Sequence, residues 1–340
     1  MPLSLLDISN SLKNANVCLK VPSLQGGHVS MRNNHPIVSS GGYCVVYKYE
    51  MPDHSFKALR IWHKDLSVLP DIPEVAKEVS STLSSLHSSY FINYDYYPKG
   101  ILVGGDFYPI VVMDWCEGED LKDYITSHIE QPEKLLEIAK QFKEMVSFFH
   151  KNSISHGDLQ HGNIRIRENG SICVLDYDSM YVPALKGKKE FIKGLPSFQH
   201  PTARDANEYL NPKVDYFSEC VIYLSLLLLA HKPELWTEEV KRSDDILLFD
   251  NDDLNAINTP KSKLFEFRNV ADNGIFWLFL SLQKFLRETD LNCFTPLEMI
   301  GSSFLPGDPT AHKPSNPKKE RGITESSTVD VKDILKTLKL

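Results

Sequence analysis

One stretch limits the possible folds more than any other: His156-Gly-Asp-Leu-Gln-His-Gly-Asn163, a polar loop with apolar patterns against both of its ends. Upstream, Leu135, Ile138, Ala139, Phe142, Met145, Val146 and Phe149 recur at helical spacing and predict an amphipathic helix of about four turns starting at Pro132. Downstream, Ile164 to Arg167 and Ile172 to Leu175 flank Asn169 and Gly170 and predict a small hairpin, which runs into Val174-Leu-Asp-Tyr-Asp178. Taken alone, a loop of this composition is a turn between a helix and a hairpin. Its neighbours make it more than that.

The rest of the chain sorts into two kinds of pattern. Residues 37 to 63 alternate apolar and polar around Val45, Val46 and Tyr47 and again around Ala58, Leu59 and Ile61, with Pro52 and Asp53 between them, which predicts a β-hairpin. Val75, Val79, Leu83 and Leu86 predict a helix, and Gly100 to Gly104 and Tyr108 to Trp115 two further strands. Beyond Tyr209 the sequence reads as mainly helical. The fold class is therefore α+β, with a small sheet-rich lobe ahead of a larger helical lobe. Residues 301–326, rich in Gly, Pro, Ser and Lys, read as a flexible linker. After it, Val331, Ile334, Leu335 and Leu338 predict an amphipathic tail helix within 327–340 that docks on this protein or on a partner.

Composition excludes several function classes. A net charge of -8 argues against a general nucleic-acid binder, which needs excess Lys and Arg to displace counterions. The six cysteines show no CxxC or metal-ligand spacing, so neither disulfides nor zinc are expected. The most apolar stretch, Cys220 to Ala230, is about half the ~20 residues of a membrane span and reads as a buried helix. The start, MPLSLLDISNSLKN, lacks the basic and apolar pattern of a secretion signal, and a cytoplasmic, membrane-free protein is expected.

With these residues in view, the polar loop resembles the catalytic loop and metal-binding motif of protein-kinase-like enzymes, and Asp158, Asn163 and Asp176 take the three positions of that pattern. The resemblance implies a bilobal protein-kinase-like fold, with a small antiparallel-sheet N-lobe over 37–115 and a larger helical C-lobe over 116–300. It leaves 1–36 as an N-terminal extension. Asp158 would be the catalytic base, Asn163 and Asp176 the ligands of Mg2+ or Mn2+, and ATP the phosphate donor. Ser39-Ser-Gly-Gly-Tyr-Cys-Val-Val-Tyr47 resembles the glycine-rich loop, with Gly41 and Gly42 at the phosphates and Val46 over the base. Lys57-Ala-Leu-Arg-Ile61 resembles the lysine-bearing strand, with Ala58 facing adenine and Arg60 in the lysine's place. Glu78 is the first candidate to partner Arg60 and Glu74 the second. Ile110 to Leu121 resembles the hinge: Met113 as gatekeeper, Asp114 and Cys116 reading adenine through their backbones, Asp120 near the ribose. Asp215-Tyr-Phe-Ser218 resembles the start of the family's buried central helix, whose Asp braces the catalytic loop.

Departures divide the functional expectation. Gly157 replaces the arginine before the catalytic Asp, Gln160 a lysine after it, and Asp178 the last glycine of the metal motif. The pattern looks most like divergent bacterial serine/threonine kinase-like proteins, and a protein serine/threonine kinase with a protein substrate is the first reading. A pseudokinase is the alternative suggested by Arg60. A small-molecule kinase of the aminoglycoside or choline phosphotransferase type is the alternative suggested by His-Gly-Asp-Leu. Lys186, Lys188, Lys189 and Lys193 read as a solvated charge run or as an attractor of acidic substrates.

Overall fold

The structure is a computed structural model and describes residues 2–66, 71–265 and 274–301. All of the tail helix and all but Gly301 of the linker lie outside the described residues. Helix α1 (Leu5–Lys13), capped by Ser4, leads through the short α2 (Ala15–Cys18) to the small strands β1 (His28–Val29), β2 (Met31–Arg32) and β3 (His35–Pro36). The sheet is built from β4 (Val38–Ser40), β5 (Cys44–Glu50), β6 (Phe56–Trp62), β7 (Tyr94–Val103) and β8 (Asp106–Asp114), with β1 at one edge, in the order β1-β5-β6-β8-β7. All pairings are antiparallel, and β4 also pairs with β5. Strand β7 begins before the predicted Gly100, because Tyr94 to Tyr97 pair with Ile110 to Met113 ahead of a bulge that precedes Ile101.

Strand alternation gives this sheet two buried faces. Val45, Tyr47, Tyr49, Leu59, Ile61, Ile110 and Val112 point to a small core closed by Ile8, Leu12, Leu19, Val21 and Leu24. Residues 5–24 thus cover the outer face of the sheet. On the inner face Cys44, Ala58, Trp62, Val111 and Met113 meet helix α3 (Ile72–Leu86) through Val75, Val79 and Leu83. Arg60 shares this inner face with Ala58.

The second lobe starts with β9 (Glu119–Asp120) and α4 (Leu121–His128), followed by α5 (Pro132–Lys151). Helix α5 runs for 20 residues, longer than the apolar stripe predicts, since His150 continues it into a buried ion cluster. Strands β10 (Ile164–Ile166) and β11 (Ile172–Val174) form the predicted hairpin, and β10 also pairs with β9. After the short α6 (Ala203–Ala206), α7 (Tyr216–His231) is buried without interruption from Phe217 to Leu229, as a helix apolar on all sides must be. The fold is thus the two-lobed α+β arrangement implied by the resemblance. Among the described residues no helix is long and apolar enough to cross a membrane.

Candidate active site

The polar loop is held from below. Asp215, 1% exposed just ahead of α7, accepts the backbone N–H of His156 and, at 3.0 Å, that of Gly157. His156 accepts the Asp158 N–H at Nδ1, so its Nε2 donates to the Leu175 carbonyl at 2.7 Å. One histidine therefore ties the loop to the strand that leads into Asp176. Gly157 has φ +80°, and a Cβ there would lie 2.1 Å from the Ser179 carbonyl oxygen. The arginine usual at this position has no room, because the chain beyond Asp178 packs on the spot.

Asp158 and Asn163 form one unit. Asn163 Nδ2 donates to the Asp158 carbonyl at 2.8 Å and to its Oδ2 at 3.1 Å. The other carboxylate oxygen, Oδ1, accepts the Leu195 N–H at 3.3 Å. That approach needs Gly194, whose φ is +68° and whose Cβ would come within 2.3 Å of Asp158 Oδ1. Burial raises the Asp158 pKa, His156 opposes the shift, and the charge of Asp176 adds to it. Asp176 stands at φ +63°, a left-handed conformation rare for a residue with a side chain, and leaves its carboxylate 47% exposed.

Arg60 crosses from the sheet to this motif. Its Nη1 donates to Asp176 Oδ1 at 3.0 Å and its Nη2 to Asp178 Oδ2. Asp178 is nearly buried, and burial raises its pKa to about 6 against the opposing pull of Arg60. The structure does not bring Glu78 to Arg60. Glu78 sits 3.5 Å from Lys77, while Glu74 takes Lys188 at 2.6 Å, docking α3 to the segment after the metal motif. The reason is local: Asp178 stands where a glycine is usual and offers Arg60 a closer carboxylate than the helix does.

The roof of the cleft is less tightly held. The Gly41 N–H donates to the Cys44 carbonyl at 2.9 Å and closes the β4–β5 turn, whereas a Cβ on Gly42 would meet nothing within 4 Å. Val46 is partly buried against the inner core, and Met113 is buried with Ala58 as its cross-strand partner. Asp114 accepts Lys57 Nζ at 2.5 Å and Asn93 Nδ2 at 2.7 Å, so its side chain fastens the hinge to the upper lobe. Asp120 caps α4 by accepting the Asp123 N–H at 2.9 Å. Cys116 points away from these groups, towards Cys173.

Several participants had no motif to reveal them. Arg204 is buried and reaches Glu190 Oε2 at 3.0 Å, Gln199 Oε1 at 2.8 Å and the Gly157 carbonyl at 2.7 Å, a clamp between the long segment after Asp178 and the polar loop. The signal was weak: one glutamate among the lysines of that segment. Lys48 lies 4.1 Å from the Phe56 ring and 4.5 Å from the Trp115 ring, which braces the first hinge residues.

A divalent cation fits the lower residues. No described hydrogen bond uses Asp176 Oδ2 or Asn163 Oδ1, and both are hard oxygens.

Comparison with known proteins agrees with this geometry. The family model of the protein kinase domain matches residues 34–250. Serine/threonine-protein kinase chk1 of Schizosaccharomyces pombe is 31% identical over 41% of this chain and 28% of its own length. Serine/threonine-protein kinase STE20 of Kluyveromyces lactis is 25% identical over 56% and 18%. Maternal embryonic leucine zipper kinase of Xenopus laevis is 24% identical over 57% and 29%. The matches span less than a third of these relatives' lengths. All three come from eukaryotes, which gives the bacterial leaning of the motif comparison no support. With the domain match covering most of the chain, and the polar loop, its buried brace and the hinge in the expected order, this chain belongs to the protein kinase family.

Proposed function

We propose that the protein is a serine/threonine protein kinase that transfers the γ-phosphoryl group of ATP to a protein hydroxyl. The observation that carries the reading is the Asp158–Asn163 unit, fixed on Asp215 and faced by Asp176. Asp158 Oδ2 orients the acceptor hydroxyl; its oxygen bonds to the γ-phosphorus as the bond to the bridging oxygen of ADP breaks, and its proton passes to Asp158. Asn163 and Asp176 would hold Mg2+, which supplies charge neutralisation on the phosphates. Backbone groups of Asp114 and Cys116 read adenine beneath Val46 and Ala58. Gly41 and Gly42 let the β4–β5 turn approach the phosphates, and Arg60 supplies the strand cation. The scattered free cysteines suit a reducing compartment such as the cytoplasm.

One observation favours a second reading, a pseudokinase. Arg60 occupies Asp176 Oδ1, so nucleotide must displace or share that contact. Incubation with γ-labelled ATP, Mg2+ or Mn2+ and generic protein substrates, against an Asp158→Ala control, separates the readings. Label on protein from the wild type alone is the expected result. ADP formed without labelled protein would point to a small-molecule acceptor, and nucleotide binding without turnover to the pseudokinase.

A further inference from the structure

Next to the hinge, two cysteines from distant parts of the chain meet. Cys116 lies in the strap between β8 and β9, and Cys173 at the centre of β11, opposite Arg165 of β10. Their sulfur atoms are 3.4 Å apart and share a hydrogen bond. A disulfide needs about 2.0 Å between sulfurs, so the two sulfur atoms must approach by little more than 1 Å. Cys173 is buried, but Cys116 is only half-buried and lines a cavity of about 420 Å³ together with Asn93, Asp114, Arg167 and Glu168. A molecule as small as a peroxide reaches one sulfur and not the other.

We propose that Cys116 and Cys173 are a peroxide-responsive pair whose disulfide locks the interlobe strap to the β10–β11 hairpin. The two sulfurs differ in reactivity as well as access. The hydrogen bond from Cys173 lowers the Cys116 pKa, against the effect of burial and with help from the Arg167 and Arg165 charges, while that same bond and burial raise Cys173. The Cys116 thiolate attacks an oxygen of hydrogen peroxide, the O–O bond breaks, and Cys116 becomes a sulfenic acid with release of one water once protons are balanced. The Cys173 sulfur then attacks the Cys116 sulfur, the S–O bond breaks, and the Cys173 proton leaves with the hydroxyl as a second water. Two thiols are oxidised by two electrons and one peroxide is reduced. A thiol reductant reverses the change, as befits a transient disulfide in a reducing compartment. The strap carries the hinge and β11 leads into Asp176, so the cross-link ties the hinge to the strand ahead of Asp176, beside the β9–β10 pairing that already joins strap and hairpin.

The full chain is treated with increasing hydrogen peroxide, alkylated, digested and mapped by mass spectrometry, alongside Cys116→Ser, Cys173→Ser and the apolar Cys173→Ala. In the wild type, Cys116 and Cys173 should lose alkylation together, appear as one linked peptide, and return with dithiothreitol. In either Cys173 variant, Cys116 should accumulate as a dimedone-reactive sulfenic acid, and in Cys116→Ser position 173 should stay reduced at the same dose. Overoxidation of Cys116 in the wild type with Cys173 still alkylatable would overturn the proposal, as would linkage of Cys116 to Cys18 or Cys293, or no reaction of Cys116 at doses that oxidise the exposed Cys293.

Discussion

The floor and the roof of the cleft are built to different standards. On the floor, the polar loop has buried supports: Asp215 holds two of its N–H groups, His156 ties it to Leu175, and Asn163 grips Asp158. On the roof, the glycine turn has its own hairpin bonds and open space beyond Gly42, and Arg60 leans on carboxylates that belong to the floor. Buried polar networks are costly when half-satisfied, so such a floor changes little without loss of the fold. The open glycine turn of the roof tolerates rewiring. The contrast is one of support and not of where the chain departs from its family: Arg60 lies above the cleft, Gly157, Gln160 and Asp178 lie below it, and Asp178 answers Arg60.

The most direct way to break the comparison is Asp158→Asn. It keeps shape and removes the basic carboxylate, and should slow phosphoryl transfer by roughly 10²-fold to 10⁴-fold with ATP affinity nearly unchanged. Steady-state kinetics beside a nucleotide titration checks this; wild-type turnover would remove Asp158 from the mechanism.

Next comes the bond between roof and floor. Arg60→Ala leaves Asp178 buried without its cation and should cost about 3–5 kcal/mol of stability. Adding Asp178→Asn should return part of that loss, giving a coupling energy of about 0.5–3 kcal/mol in denaturant unfolding. Strictly additive losses would show that the two sides are energetically separate. Weaker ATP binding by Arg60→Ala, at a temperature where the variant is folded, would place Arg60 on the phosphates as well.

A smaller effect probes the floor far from the chemistry. His150 lies between Glu219, at 2.9 Å, and Glu298, at 2.8 Å. Burial works against its charge, but the two carboxylates raise its pKa to about 9, while burial raises Glu219 to about 7. Both groups bind protons more tightly folded than unfolded. Their contribution is therefore fully present below the unfolded values and is lost as pH rises through about 7 and then about 9. Thermal denaturation between pH 6 and 10 should show this fall, and His150→Gln should flatten it at a cost of about 1.5–3 kcal/mol near neutral pH. A parallel pH dependence in the variant would exclude His150.

The smallest change is expected on the roof. Gly42→Ala puts a methyl group into open space, and its stability effect should stay within about 0.5 kcal/mol. A larger loss in denaturant unfolding would mean that the turn is held more tightly than its contacts show.

Sequence alone determined what local pattern can determine. Alternation around Val45 and Ala58 gave the hairpin and placed Arg60 on the inner face; the stripe from Leu135 to Phe149, the polar loop and the β10–β11 hairpin followed one another as read, and the apolar stretch from Cys220 marked a buried helix. These features depend on periods of two or 3.6 residues, which short stretches carry within themselves. The tertiary structure decided the pairings between distant residues: Arg60 with Asp178 rather than Glu78, Arg204 with Glu190, Cys116 with Cys173, and residues 5–24 on the outer face of the sheet. A charge in a sequence carries a sign but no address. Its partner is whichever opposite charge the packing of apolar faces brings within a few ångströms, and that packing is a property of the whole chain.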